Sequence, residues 1–329
     1  MNQVHSYAIL RISCLAPRAS THLRLYLLLH SPAILLSTFN GERFLHAMLD
    51  SVVGQTGIRP VLYWRDDGSS DATVDIVEKY RNAIELKRIQ ASVRLGPCAS
   101  FLTLLREAAP HHASFHFADQ DDVWHPGKVA HAHKAVTRCE APRLFHCRQQ
   151  LVDAHGQPLG LSRLNEHGTF HNAMCENIAA GCSVAFNHAA AKIIAAGSPT
   201  RAQMHDWWAY LVVSAVGHIE YDSNPWIQYR QHSQNAVGLS RGPVHECFRR
   251  IHRHFNRPTN AAPIFDQLSE FLKIHGTALN AEQRTRVQRL LNGRNSVSQR
   301  LRNCISPPAV RQRWIDNMIL RGILLKRHY

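Results

Sequence analysis

From residue 33 onward, the apolar positions follow two alternating rhythms. Ala33–Thr38 is a short apolar run of the kind made by a strand buried on both faces. Behind it, Phe44, Leu45, Met48, Leu49, Val52 and Val53 return at the helical period. The pair then repeats. Val61–Arg65 reads as a second strand ending in Asp66-Asp67-Gly68-Ser69-Ser70, and Asp71 is placed to cap a helix through Val74, Val77 and Tyr80. Ile84–Gln90 is a third strand, and Phe101, Leu102, Leu104 and Leu105 stripe a third helix. Ser114–Ala118 is a strand that stops at Asp119. Strands alternating with helices of this length predict a parallel sheet covered on both faces, with ligands at the carboxyl ends of its strands. Both acidic clusters of this half fall at such ends.

Beyond Arg143 the rhythm loosens. Arg143–Val152 predicts a strand, a loop runs to Thr169, and an apolar stretch covers Ile178–Phe186. A helix is expected over Gln203–Val216 and a strand over Trp226–Arg230. Residues 241–329 read as helices with the stripes Ile264/Phe265/Leu268/Phe271/Leu272 and Val310/Trp314/Ile315/Met318/Ile319/Ile323. No uninterrupted apolar run reaches the roughly 18 residues of a membrane span.

At 329 residues and 45% hydrophobic, the chain has material for one large core or two modest ones, which excludes a mainly disordered protein. Its net charge of +14 is unevenly spread. Residues 241–329 hold 17 Lys/Arg against 5 Asp/Glu, whereas residues 33–240 come to −1. Eight cysteines without a Cys-x-x-Cys pair argue against a zinc ribbon or a dithiol redox motif, and fit reduced thiols in a cytosol. The 23 histidines include no His-Glu-x-x-His spacing, which leaves a zinc hydrolase without support. Residues 1–32 place Arg11, Arg18 and Arg24 before the short apolar patch Leu25–Leu29. They are expected to be a disordered extension rather than a secretory leader.

Four clusters carry candidate chemistry. Asp119-Gln120-Asp121-Asp122 sets three carboxylates on one turn, which suits either solvent or a divalent cation. Asp66-Asp67-Gly68-Ser69-Ser70-Asp71 serves as a strand-to-helix turn, with Gly68 at positive φ, and equally as a carboxylate that accepts the imide N–H of a uracil or thymine. In His205-Asp206-Trp207-Trp208, Asp206 is either a helix cap or a general base whose pKa its apolar neighbours raise. Tyr229-Arg230-Gln231-His232 suits diphosphate oxygens or a plain surface loop.

Taken in order, these clusters resemble family 2 glycosyltransferases. The segments concerned are Ser37-Thr38-Phe39-Asn40-Gly41-Glu42, Arg65–Asp71, Ala118–Trp124, Gly181-Cys182, His205–Trp208 and Tyr229–His232. The likeness is strongest to the rhamnosyltransferase-like branch, bacterial enzymes that build cell-surface polysaccharide. It covers about residues 33–240. The resemblance implies an α/β GT-A fold, a Rossmann-like nucleotide half with a mixed sheet at about 33–122 and an acceptor half at about 123–240, followed by a basic helical tail at 241–329. It assigns Ser37, Thr38, Phe39, Asn40, Glu42 and Asp67 to the nucleotide, and Asp119 and Asp121 to Mg²⁺ or Mn²⁺. Asp206 becomes the general base, and Arg230 and His232 belong to a loop that closes on the donor diphosphate. The implied reaction is single-displacement, inverting transfer of a sugar from a dTDP- or UDP-sugar, with L-rhamnose from dTDP-rhamnose the expected donor and UDP-hexoses the runner-up. The acceptor is expected to be a lipid-linked glycan. Arg94-Leu95-Gly96 stands where relatives carry Asn-x-Gly, and Ala180 replaces a frequent Thr; both positions bear on the sugar pocket.

The basic tail adds an expectation of its own, peripheral contact with an anionic membrane surface on the cytoplasmic face. Its aromatics sit on apolar helix stripes instead of interleaving with basic residues, so nucleic acid is not expected as a partner. A non-catalytic sugar-nucleotide binder is the remaining alternative, opposed by the intact Asp121 and Asp206.

Overall fold

The computed structural model of the protein describes residues 31–165, 168–232 and 263–326. Nearly all of the expected N-terminal extension, and residues 233–262 around the junction with the tail, lie outside them.

The first half follows the apolar rhythm. β1 (Pro32–Thr38), α1 (Glu42–Val53), β2 (Val61–Asp66), α2 (Thr73–Lys79), β3 (Glu85–Arg88), α3 (Pro97–Ala108) and β4 (Ser114–Ala118) alternate as expected. β1 lies parallel between β2 and β4, and β3 adds parallel to β2. β3 is polar and half-exposed (Glu-Leu-Lys-Arg), which suits a sheet edge. Side chains alternate across the pleat. Ala33, Leu35, Val61, Tyr63, Phe115 and Phe117 face one way toward α3. Ile34, Leu36, Leu62 and Trp64 face the other, against Leu45, Met48, Leu49 and Val52 of α1 and Ile76 and Val77 of α2.

Past Asp119 the sheet turns mixed. β5 (Val123–Trp124), α4 (Lys128–Thr137), β6 (Arg143–Val152), β7 (Pro158–Leu161), the single turn α5 (Phe170–Ala173), β8 (Ala185–Asn187), α6 (His188–Ala195), α7 (His205–Val216) and β9 (His218–Arg230) complete it. The strand order is β3-β2-β1-β4-β8-β6-β9-β5, with β7 paired to β6. β8 runs antiparallel to both β4 and β6. β9 runs parallel to β6 and antiparallel to β5, which sets Arg230 opposite Val152 and Gln228 opposite Val123. The turn from 119 to 122 therefore meets the end of β9. Trp226–Arg230 proves to be the last part of a strand that begins at His218.

Two local expectations shift. Asp71 acts one position before the cap: the helix starts after Ala72, and Asp71 Oδ1 accepts from Thr73 N–H at 3.0 Å. Val53, at the end of its stripe, is exposed.

Among the described residues the helices of the tail are α8 (Pro263–His275), α9 (Ala281–Asn292), α10 (Val297–Ile305) and α11 (Trp314–Leu324). They extend the core that α7 begins. Ile264, Phe265, Leu268 and Phe271 join Trp208, Phe170, Val287 and Leu290 in one buried cluster. The Phe271 ring lies 6.1 Å from Trp208 and 5.8 Å from Phe170. Backbone links add to this, with Gln203 N–H donating to Gln267 Oε1 at 2.8 Å and Gln283 Nε2 donating to Ala215 O at 2.9 Å. The last apolar stripe splits. Leu320, Ile323 and Leu324 are buried, while Val310, Trp314 and Met318 face outward, because apolar residues recur on both sides of α11. Among the described residues no helix is long and apolar enough to cross a membrane.

The shared core yields a stability prediction. Phe271→Ala is expected to destabilise the chain by about 3–5 kcal/mol. Thermal unfolding should keep a single transition, because the helix packs on α7 rather than forming a core apart. Two separated calorimetric transitions would show that the tail folds by itself.

Candidate active site

The strand ends carry loops that are tied to one another by side chains. Asp66 organises the turn after β2. Its Oδ1 accepts from Thr38 Oγ1 at 2.9 Å and Ser69 Oγ at 2.5 Å, and its Oδ2 from the N–H groups of Gly68 and Ser69. Gly68 sits at φ +92°, the conformation expected of it. Asn40 and Glu42 clasp the same turn from the β1 side: Asn40 Oδ1 accepts from Ser70 N–H at 2.9 Å, and Glu42 Oε2 from Ala72 N–H at 2.9 Å. Thr38 is buried, and its hydroxyl also accepts from Trp64 Nε1, so this residue shapes the loop from beneath. Ser37 donates to Ser100 Oγ at 2.7 Å. The Arg94 guanidinium lies 3.8 Å over the Phe39 ring.

Asp67, the second acid of the pair, is held from the other side. It accepts from Arg65 Nη1 at 2.5 Å, Leu95 N–H at 2.8 Å and Gly96 N–H at 2.7 Å. Burial pushes its pKa up, but these hydrogen bonds and the Arg65 charge outweigh it and hold the carboxyl below its ordinary value. It stays a fixed anion at the mouth of the loop. Arg65 and Ser100 are partners whose role was not expected from their residue types. Arg65 looks like a strand residue, yet it is buried and shares Ser100 Oγ at 3.0 Å.

Gln120 joins the nucleotide-side loop to the acidic turn. Phe39 N–H donates to its Oε1 at 2.9 Å, and its Nε2 donates to Phe39 O at 3.1 Å. On either side of it the carboxylates crowd. Burial raises Asp119 to about 7, and the charges of Asp121 and Asp206 add to that rise. Burial, then Asp121 and Asp119, raise Asp122 well above the carboxylate range. Asp122 Oδ1 accepts from Arg230 N–H at 2.9 Å, while its buried Oδ2 has no hydrogen-bond partner. The ligand atoms of Asp119, Asp122 and Cys182 lie within 4.8 Å of one another. The raised carboxylate oxygens of Asp119 and Asp122 fit a hard divalent cation, whereas the Cys182 thiol is a soft donor. Beneath it sits Lys128, fully buried, with its ammonium 3.3 Å over the Trp124 ring. Burial lowers its pKa to about 8. Nothing in the spacing of Lys128 announces that burial.

Asp206 reaches the same place from the other half. It stands in the first turn of α7 and accepts from Trp207 N–H at 2.7 Å. Burial raises its pKa to about 6, against hydrogen bonds from Trp207, Asn177 and Gly181. Gly181 and Cys182 are the bridge. A Cβ on Gly181 would sit 3.0 Å from His205 Nε2 and 3.5 Å from Asp206 Oδ2. The Cys182 thiol next door lies within 4.8 Å of ligand oxygens of Asp119 and Asp122. The nucleotide-side and acceptor-side acids thus meet across one short turn.

The end of β9 lies against the acidic turn. Arg230 is buried and donates to the carbonyls of Asp121 at 2.9 Å and Ala154 at 3.2 Å. His232 Nε2 lies 2.7 Å from Asp121 Oδ2, with its ring 4.9 Å from Phe44. Both residues brace the acidic turn, because the parallel register of β9 on β6 delivers them to it.

Residues 33–141 match the sequence model described as Glycosyl transferase family 2. The chain is 26% identical over 219 residues to the dTDP-rhamnosyl transferase RfbG of Shigella flexneri, a match that covers 62% of this chain and 74% of that one. Its fold is similar to that of S. aureus TarS 1-349 crystallised with UDP-GlcNAc, with a TM-score of 0.56 and 16% identity over 91% of this chain and 82% of that one. The same fragment crystallised with UDP gives a TM-score of 0.55 and 16% identity, covering 84% and 75%. Converging acids at the strand ends, the match over residues 33–141 and the shared architecture lead to one conclusion: the chain is a glycosyltransferase of the GT-A fold whose residues 33–141 match the family 2 model and which resembles a dTDP-rhamnosyl transferase.

Proposed function

We propose that the protein is an inverting glycosyltransferase that moves L-rhamnose from dTDP-rhamnose to a hydroxyl of a growing, lipid-linked cell-surface glycan. The observation that supports this most is the meeting of Asp206 with Asp119 and Asp122 at the Gly181–Cys182 turn. The choice of sugar draws on the Shigella relative, a dTDP-rhamnosyl transferase.

In this reading Asp67, held ionised by Arg65 and two backbone N–H groups, accepts the imide N–H of a thymine or uracil. The loop of Ser37, Thr38, Phe39, Asn40 and Glu42, locked to the turn after β2, shapes the floor for the nucleoside. Asp119 and Asp121 would hold Mg²⁺ or Mn²⁺, with Asp122 behind them. When bound, such a cation neutralises the charge of the departing diphosphate. Arg230 and His232 keep the acidic turn in place from β9. Asp206, raised toward neutrality by burial, takes the proton of the acceptor hydroxyl as that oxygen attacks C1 of the sugar from the face opposite the diphosphate. One displacement inverts the anomeric centre. The net charge of residues 241–329 supports peripheral contact with an anionic membrane surface, on the cytoplasmic face.

Three outcomes follow. In a thermal-shift panel with Mn²⁺, dTDP- and UDP-sugars raise the melting temperature more than GDP-sugars do, dTDP-rhamnose most of all. An equal rise with GDP-mannose would remove the role given to Asp67. Asp206→Asn lowers sugar transfer about a thousandfold while leaving the nucleotide shift intact. Unaltered transfer would exclude Asp206 as the base, whereas absence of transfer by the wild type itself would favour a binding-only protein. In the wild type the base form of Asp206 is lost as pH falls, so turnover drops below about pH 6 and levels off above it. A profile that is flat between pH 5 and pH 8 would contradict that assignment.

A further inference from the structure

The outward face of α10 and α11 is more apolar than a solvated helix pair requires. On α10, Val297, Leu301 and Ile305 recur every fourth residue, and all are more than half exposed. On α11, Trp314 is 78% exposed, and Met318 and, just past the helix end, Leu325 continue its stripe. Arg321 joins the two helices by donating to the carbonyls of Cys304 and Ile305. The buried side of α11 already satisfies the core through Leu320, Ile323 and Leu324, so the outer stripe is surplus to folding.

The charges around it have one sign. Residues 297–326 contain Arg300, Arg302, Arg311, Arg313, Arg321 and Lys326, and their one acid, Asp316, is buried. A second copy of the chain would bring like charge onto like charge. So would the segments of this chain outside the described residues: residues 1–30 carry three arginines and no acid, and residues 233–262 carry five arginines and one glutamate. Exposed aliphatics beside a tryptophan and ringed by arginine match the chemistry of a bilayer interface with anionic headgroups.

We propose that the outward face of α10 and α11, with Leu301, Ile305, Trp314 and Met318 at its centre, docks on an anionic lipid bilayer. The proposal deepens the reading of a lipid-linked acceptor and rests on it. The face is also wired to the candidate base. Val310, in the connection between the two helices, donates its N–H to His171 O at 3.1 Å and accepts from Asn172 Nδ2 at 3.1 Å. Asn172 Oδ1 in turn accepts from Tyr210 OH on α7 at 2.9 Å. Trp207 Nε1 donates to Ala173 O at 2.7 Å. Docking therefore fixes the height of Asp206 above the lipid plane, where a headgroup-linked hydroxyl is presented.

The test uses the full chain and a variant combining Leu301→Gln, Ile305→Gln, Trp314→Gln and Met318→Gln. Both are floated with vesicles of phosphatidylcholine alone and of phosphatidylcholine containing phosphatidylglycerol. The expected result is binding of the wild type to the phosphatidylglycerol vesicles only, weakened at least about tenfold in the variant. Melting temperature and the dTDP-induced shift should be unchanged. Trp314→Gln alone, if the combined variant is unstable, should lower binding in the same direction. Equal flotation of wild type and variant, or equal binding to neutral vesicles, overturns the proposal. So does a wild-type dimer that the variant splits in sedimentation equilibrium. Absence of any dTDP or UDP shift in both proteins counts against the donor reading alone and leaves the vesicle result to be judged separately.

Discussion

Like charges held close together inside protein cost free energy unless something answers them, and this fold gathers four carboxylates where two halves meet. Asp119, Asp121 and Asp122 arrive at the end of β4, and Asp206 arrives at the start of α7. Between them lies the Gly181–Cys182 turn: a Cβ at 181 would come within 3.5 Å of Asp206 Oδ2, and the Cys182 thiol lies within 4.8 Å of ligand oxygens of Asp119 and Asp122. No side chain larger than glycine fits at 181 without pressing on His205. The remaining architecture positions or compensates that crowding. Lys128 lies beneath it, and Arg230 and His232 brace its outer edge.

Much of the nucleotide half was legible because its signal is local. A strand buried on both faces has to be apolar throughout, and its helix has to show one stripe, so Ala33–Thr38 and the α1 stripe identify themselves. The second half mixes strand directions and its connections vary, so periodicity fades there. β9 is the instructive case: only its last five residues were expected, because Glu220, Asp222, Ser223 and Asn224 break the apolar pattern where the strand shifts register against β6. The nearness of Asp206 to Asp119 is not periodic information at all. It came from resemblance in the order of motifs, and the fold supplies its physical cause. Arg230 marks a further limit. Sequence shows that a guanidinium is present but not which way it turns, and here backbone carbonyls of two loops claim it.

The C-terminal helices were expected as an appendage, yet they form the floor under α7. Phe271 and Leu268 pack on the far side of the helix whose first turn presents Asp206. The orientation of that carboxylate therefore depends on residues distant in sequence and in chemistry from the sugar. The same helices keep a second apolar stripe outside, so a single stretch of chain both supports the site and sets its outlook on the surroundings.

Gln120 stands between two acids and grips the backbone of Phe39 with both ends of its amide. The loop beneath a nucleoside and the turn that would hold a cation are in consequence one mechanical piece. If a nucleoside and a cation bind there as proposed and one alters the hold on the other, thermodynamic reciprocity requires each guest to change its companion's affinity by the same factor.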